Sequence, residues 1–131
     1  RPVSLATQMI RAHVDRLERP DVWQLTEAFY YYMKVDLPAI WRGSTPAQFV
    51  PRFSLAEARE LAEKKSLSYT DVHCWVFTGE SFLQCLADLR SAELLHQLEV
   101  RHWEAPQPGT NEFRVILARR ENCDRAKERE S

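Results

Sequence analysis

A change of hydrophobic period inside DVHCWVFTGESFLQCLADLRSAELL, residues 71–95, restricts this chain more than any other feature. Val72 to Phe77 is a nearly unbroken apolar run with a β-branched and aromatic bias, the composition of a strand or extended segment covered on both sides. From Phe82 the apolar residues instead fall at Phe82, Cys85, Leu86 and Leu89, a stripe of about 100° on one side of a helix. Gln84, Asp88 and Arg90 are left for solvent. Thr78 can cap that helix, and Glu80 in its first turn suits the positive end of the helix dipole.

Before this stretch the pattern is helical. Ser4 can cap a first helix whose face carries Ala6, Ile10, His13, Val14 and Leu17, ending at Arg19-Pro20. Asp21 caps a second, from Val22 to about Val35, with Val22, Leu25, Phe29, Tyr32 and Met33 on its buried side and Tyr31 on the opposite, polar side. Residues 36–53 hold Pro38, Pro46, Pro51 and Gly43 and read as a loop pinned by Ile40, Trp41, Phe49 and Val50. Ser54-Leu55-Ala56-Glu57 is a capping box opening a third helix to about Lys65 that buries Leu55, Ala58, Leu61 and Ala62. After the central stretch, Leu98, Val100 and His102 alternate with Glu99, Arg101 and Trp103 at strand period. A turn-rich loop and a second apolar run from Glu112 to Ala118 complete an antiparallel hairpin.

The expected fold class is therefore α+β: N-terminal helices, then strand, helix and antiparallel hairpin. Residues 1–119 form one domain or a C-terminal half-domain, with a helical part at 1–70 and the strand-helix-hairpin at 71–119. The charged stretch 120–131 has no apolar stripe and reads as a disordered tail. A chain of 131 residues has room for one ordinary core. Its net charge of −1 argues against nucleic acid or an anionic membrane as a partner held by bulk electrostatics. No run reaches the roughly 18 apolar residues of a membrane span, so the expectation is a cytoplasmic protein with no membrane partner. Three cysteines without C-x-x-C spacing suggest neither a disulfide framework nor a zinc site, and Cys85 reads as a buried thiol.

Asp71-Val72-His73-Cys74-Trp75-Val76-Phe77-Thr78, followed by Glu80-Ser81-Phe82 and a Leu-rich helix, resembles the tail of bacterial class I S-adenosylmethionine-dependent methyltransferase-like proteins. The resemblance runs over about residues 1–119 and covers only the C-terminal half of such a protein. It implies a partial Rossmann-like sheet lacking the cofactor-binding half. It also implies a methyltransferase parent that binds S-adenosylmethionine and a small-molecule acceptor. The cofactor in that family rests on a glycine-rich turn, which needs close backbone approach, and on an acidic residue ending the second strand. Here Gly43, Gly79 and Gly109 are isolated, each in a turn, so no cofactor is expected on this chain and no methyl transfer from it alone. Arg1 in place of Met leads to the same expectation, a piece of something longer.

What remains is an acceptor side. His73 is the candidate catalytic group, a general base or acceptor-orienting imidazole beside Asp71; a structural His fixing the turn into the helix is the competing reading. Tyr31, Trp41, Asp71 and Trp75 are the candidate substrate-binding residues. Tyr31 offers a phenol on a polar face, the resemblance implies that the loop of Trp41 lies where a lid over the acceptor would sit, and core packing competes for Trp75. No metal ligands are apparent. The partner would be a missing N-terminal half or a second copy. A different class of function, a stand-alone interaction module using an exposed sheet edge, fits the same residues.

Overall fold

Capping chemistry sets where most of the helices begin. In the computed structural model, which describes residues 1–107, 109–110 and 112–120 and all of their side chains but that of Trp41, five helices alternate with two separate two-stranded antiparallel sheets. The protein is a mixed α+β chain, with no parallel pairing among the described residues. It divides into two compact units, Arg1–Phe77 and Thr78–Ser131. The expected tail at 120–131 falls outside the described residues from 121 onward.

The first unit opens with α1 (Ala6–Val14). Ser4 does not cap it. Its backbone N–H donates to the Val76 carbonyl at 2.7 Å and its Oγ accepts from the Val76 N–H at 3.0 Å, so this buried hydroxyl ties the start of the chain to the segment at 71–77. At the helix start the Gln8 side chain accepts from the Leu5 N–H instead. The helix stops well short of Pro20, because Arg16 turns to φ 51° and the N–H groups of Arg16 and Leu17 return to the carbonyls of His13 and Ala12. Val14 is consequently 70 % exposed, and the expected α1 face is buried only at Ala6. Ser4→Ala should cost about 1 to 3 kcal/mol, since it strands the Val76 N–H in a partly buried place. Urea denaturation checks this, and faster hydrogen exchange at Val76 is the local signature.

Asp21 caps α2 (Val22–Tyr30), its carboxylate accepting from the Gln24 N–H at 2.7 Å while the Gln24 side chain accepts from the Asp21 N–H. Ser54 and Glu57 form the reciprocal box of α4 (Leu55–Lys65) as their spacing predicts. These two helices pack on each other through Leu25, 1 % exposed, and Ala58 and Ala62, both 0 %. Alanine on α4 lets the backbones approach closely enough to seal Leu25 completely. Leu55, placed on the buried side by its spacing, is exposed.

Between them the predicted loop is partly ordered. Tyr31 ends α2, and β1 (Met33–Lys34) pairs with β2 (Val50–Pro51), Met33 opposite Pro51 and Lys34 opposite Val50. The Arg52 N–H extends the ladder to the Tyr32 carbonyl at 2.9 Å. Inside the loop so closed lies α3 (Leu37–Trp41), whose N-cap Asp36 accepts from the Ala39 N–H with Pro38 in the first turn. The hairpin expected near the C-terminus is therefore not the only antiparallel pairing.

Residues 71–77 are extended but form no strand. The N–H and carbonyl of Val76 are met by Ser4, and the Arg1 guanidinium donates to the carbonyls of His73 and Cys74. The expected strand at the head of a strand-helix-hairpin thus belongs by its contacts to the helical unit. A side chain and a chain start serve its backbone groups where a neighbouring strand was expected.

The second unit begins at Thr78, whose Oγ1 caps α5 (Gly79–Ser91) by accepting from the Ser81 N–H at 3.1 Å. Cys85, Leu86 and Leu89 are buried, and Phe82 is half-buried. Glu93, at φ 59°, ends this helix with the same returning bonds as at Arg16. β3 (Leu98–Glu104) then pairs with β4 (Arg114–Arg119), with a bulge between Val100 and His102. The extra residue inverts the alternation. Trp103, opposite Val115, comes to the face of Val100 and Leu117, whereas simple period 2 put it on the other side. Gly79 meets this face: a Cβ there would lie 2.7 Å from Trp103 Cζ3 and 3.5 Å from Phe113 Cβ. Phe82 stacks at a tilt on Phe113, with ring centroids 5.6 Å apart. Gly79 is thus a buried helical residue and not a turn glycine.

Candidate functional site

An extended backbone sends alternate side chains to opposite sides, and residues 71–77 follow that rule over their first half. Asp71 and His73 are exposed, Val72 and Cys74 half-buried. The imidazole of His73 has no hydrogen-bond partner among the described residues, so nothing orients it in the way a general base is commonly held. Its backbone is the better anchored part, since the Arg1 guanidinium spans the carbonyls of His73 and Cys74 and pairs with Glu27 at 3.0 Å. With side chains only 14 % and 17 % exposed, Arg1 and Glu27 form the most buried ion pair of the described residues.

Trp75 goes elsewhere. It lines a hollow of about 60 Å³ with Trp23, Gln24, Asp21 and Arg11, and a second of about 220 Å³ with Leu17, Tyr69, Val72 and Cys74. Both are smaller than the roughly 300 Å³ at which ligand pockets begin. Packing is what this indole does there. Burial pushes the neighbouring Cys74 thiol up; the Arg1 charge opposes the shift and the Asp21 carboxylate adds to it. Cys85 is raised by burial and by Asp88. Both shifts run away from the thiolate, the form that acts as a nucleophile.

Tyr31, expected on a polar helix face, lines a groove by a different geometry. It is the C-cap residue of α2, half-buried, in edge contact with Tyr30 at 5.0 Å, and not an aromatic on a polar face. With Tyr32, Ile40, Phe49, Lys34 and Arg52 it lines an open groove of about 900 Å³. Arg1 also lines this groove, so one guanidinium links Tyr31's surroundings to the backbone of His73. The side chain of Trp41 lies outside the described residues. Of the five candidates, Asp71 and His73 share an exposed side, Tyr31 lines the groove, and Trp75 packs apart from both. Arg1, Lys34 and Arg52 were not singled out by the sequence; scattered single cations carry no spacing signal until β1 and β2 close the loop. Among the described residues no cluster of three His, Cys, Asp or Glu is placed to hold a metal, and no helix is long and apolar enough to cross a membrane. No family model matches the chain, and neither a curated protein nor a solved structure matches it.

Proposed function

We propose that this chain is the acceptor-side, C-terminal portion of a bacterial class I S-adenosylmethionine-dependent methyltransferase-like protein, inactive by itself. The observation that carries the reading beyond its sequence resemblance is the amount of apolar surface left open at positions whose spacing marks them for burial. Val14 on α1, Leu17 in the turn that follows it, Leu55 on α4, and Val100 and Leu117 on the hairpin are all exposed, while Leu25 is the one large described side chain below 2 % exposure. Amphipathic elements so placed form part of a core whose other part is supplied from outside. The order amphipathic helix then antiparallel hairpin is that of the closing elements of a methyltransferase sheet, and the missing strands would pair with its open edge. In that setting Tyr31, Trp41, Asp71 and Trp75 face or support the acceptor, and His73 stands as its base or orienting group. The cofactor would be held by the absent half and not by this chain.

The reading is tested by translating the DNA upstream of the Arg1 codon. It requires a strand followed by a G-x-G turn and, about 20 residues on, an acidic residue. A start codon at that position, with no such half, would instead support a stand-alone interaction module. That second reading has its own observation: the two-stranded β3-β4 sheet has no third strand among the described residues, and Ile116 on its outer face is 58 % exposed.

A further inference from the structure

The loop that β1 and β2 close is hollow, and its lining has a chemical bias. Tyr32, Leu37 and Phe49 are 52 %, 51 % and 57 % exposed there, an aromatic and aliphatic surface left uncovered within a concave groove of about 900 Å³. That volume lies within the range of small-molecule pockets. Three cations border the same groove: Arg1, Lys34 and Arg52. Arg1 is neutralised by Glu27. Arg52 lies 4.5 Å over the Tyr32 ring, an arrangement that fixes the guanidinium without cancelling its charge. Lys34 has no ion pair among the described residues. The one acid of the lining, Asp36, already directs its carboxylate to the Ala39 N–H as the cap of α3. That hydrogen bond leaves the Asp36 charge in place, but Lys34 and Arg52 outnumber it, so the groove is apolar at its surface and net positive at its border.

We propose that it binds a small apolar carboxylate, with the hydrocarbon body against Tyr31, Ile40 and Phe49 and the carboxylate taken by Lys34 and Arg52. A neutral apolar molecule would gain the same contact area but leave both cations unanswered, and an apolar cation would be repelled by them. Within the methyltransferase reading this names the class of the acceptor. Binding itself needs no cofactor, so failure of the binding test and failure of that reading are separate results.

Three probes that share one naphthalene body decide it by calorimetry on the full chain: 2-naphthoate, 2-naphthalenemethanol and 2-naphthylmethylammonium. The naphthoate should bind at least about tenfold more tightly than the other two, the gain of one charge-assisted hydrogen bond. Lys34→Glu with Arg52→Glu should remove that preference, and Phe49→Ala should weaken all three. Lys34→Met, which adds no new charge to the fold, should lose part of the preference with the circular dichroism spectrum unchanged. Equal binding of the three probes, no binding of naphthoate, or a preference that survives charge reversal overturns the proposal. So does a dimer in sedimentation that Phe49→Ser dissociates, which would show a second copy as the occupant.

Discussion

Leu25→Ala should lower the stability of the first unit by about 2 to 5 kcal/mol, the largest loss of any single truncation in it. Leu25 is 1 % exposed and is enclosed where α2 meets α4, whose facing residues Ala58 and Ala62 are already the smallest that carry a Cβ. Helices in contact through alanine have no larger side chain to relax into the space, so the cavity persists and its cost adds to the lost transfer energy. Urea denaturation followed by far-UV circular dichroism measures it. Val14→Ala on α1 should change stability by less than about 0.5 kcal/mol, because that valine is 70 % exposed. Similar losses at the two positions would mean that the α2-α4 contact is not the core of the unit.

Gly79→Ala should destabilise the second unit by about 1 to 3 kcal/mol, although alanine is the better helix former. A methyl group at this first residue of α5 would stand 2.7 Å from Trp103 Cζ3, well inside van der Waals contact. The bulge at Arg101 puts Trp103 on that face, so its ring has to rotate away from Phe113 and Gly79 for the methyl to fit. A double-mutant cycle isolates the clash: in a Trp103→Ala background the Gly79→Ala loss should shrink to near zero or reverse. An undiminished loss would place the strain elsewhere in the turn.

Much of the local structure was legible because it is set by short-range chemistry. The caps at Asp21, Ser54 and Thr78, the stripe of Cys85, Leu86 and Leu89, and the two hairpin strands all follow from residues within a few positions of one another. The failures are of two kinds. A helix end leaves no sequence mark where a non-glycine residue adopts a left-handed conformation, as at Arg16, since only glycine or asparagine announces such a stop. Long-range ties left no local trace either: Ser4 reads as a cap but is taken by Val76 seventy-two residues away, and the β1-β2 ladder sits in a stretch whose prolines argue for loop. Phe82 belongs to the buried stripe by period yet is only half-buried, because the α5 face it lies on meets the hairpin at Gly79 and Phe113 instead of through a deep core. The groove at Tyr31 was invisible for the same reason. Lys34 and Arg52 are brought together by the ladder, and Arg1 by its ties to Glu27 and to the carbonyls of His73 and Cys74.

S-adenosylmethionine titrated by calorimetry into this chain, and in parallel into the product of the entire reading frame that encodes it, is the most direct test of the fragment reading. The adenosine and methionine ends need backbone close to the ligand at a glycine turn. Here Gly43 and Gly109 sit at φ 89° and 82° with open space about them, and Gly79 is filled by Trp103. The account predicts no measurable binding to this chain and saturable binding to the whole product. Micromolar binding to this chain would contradict it.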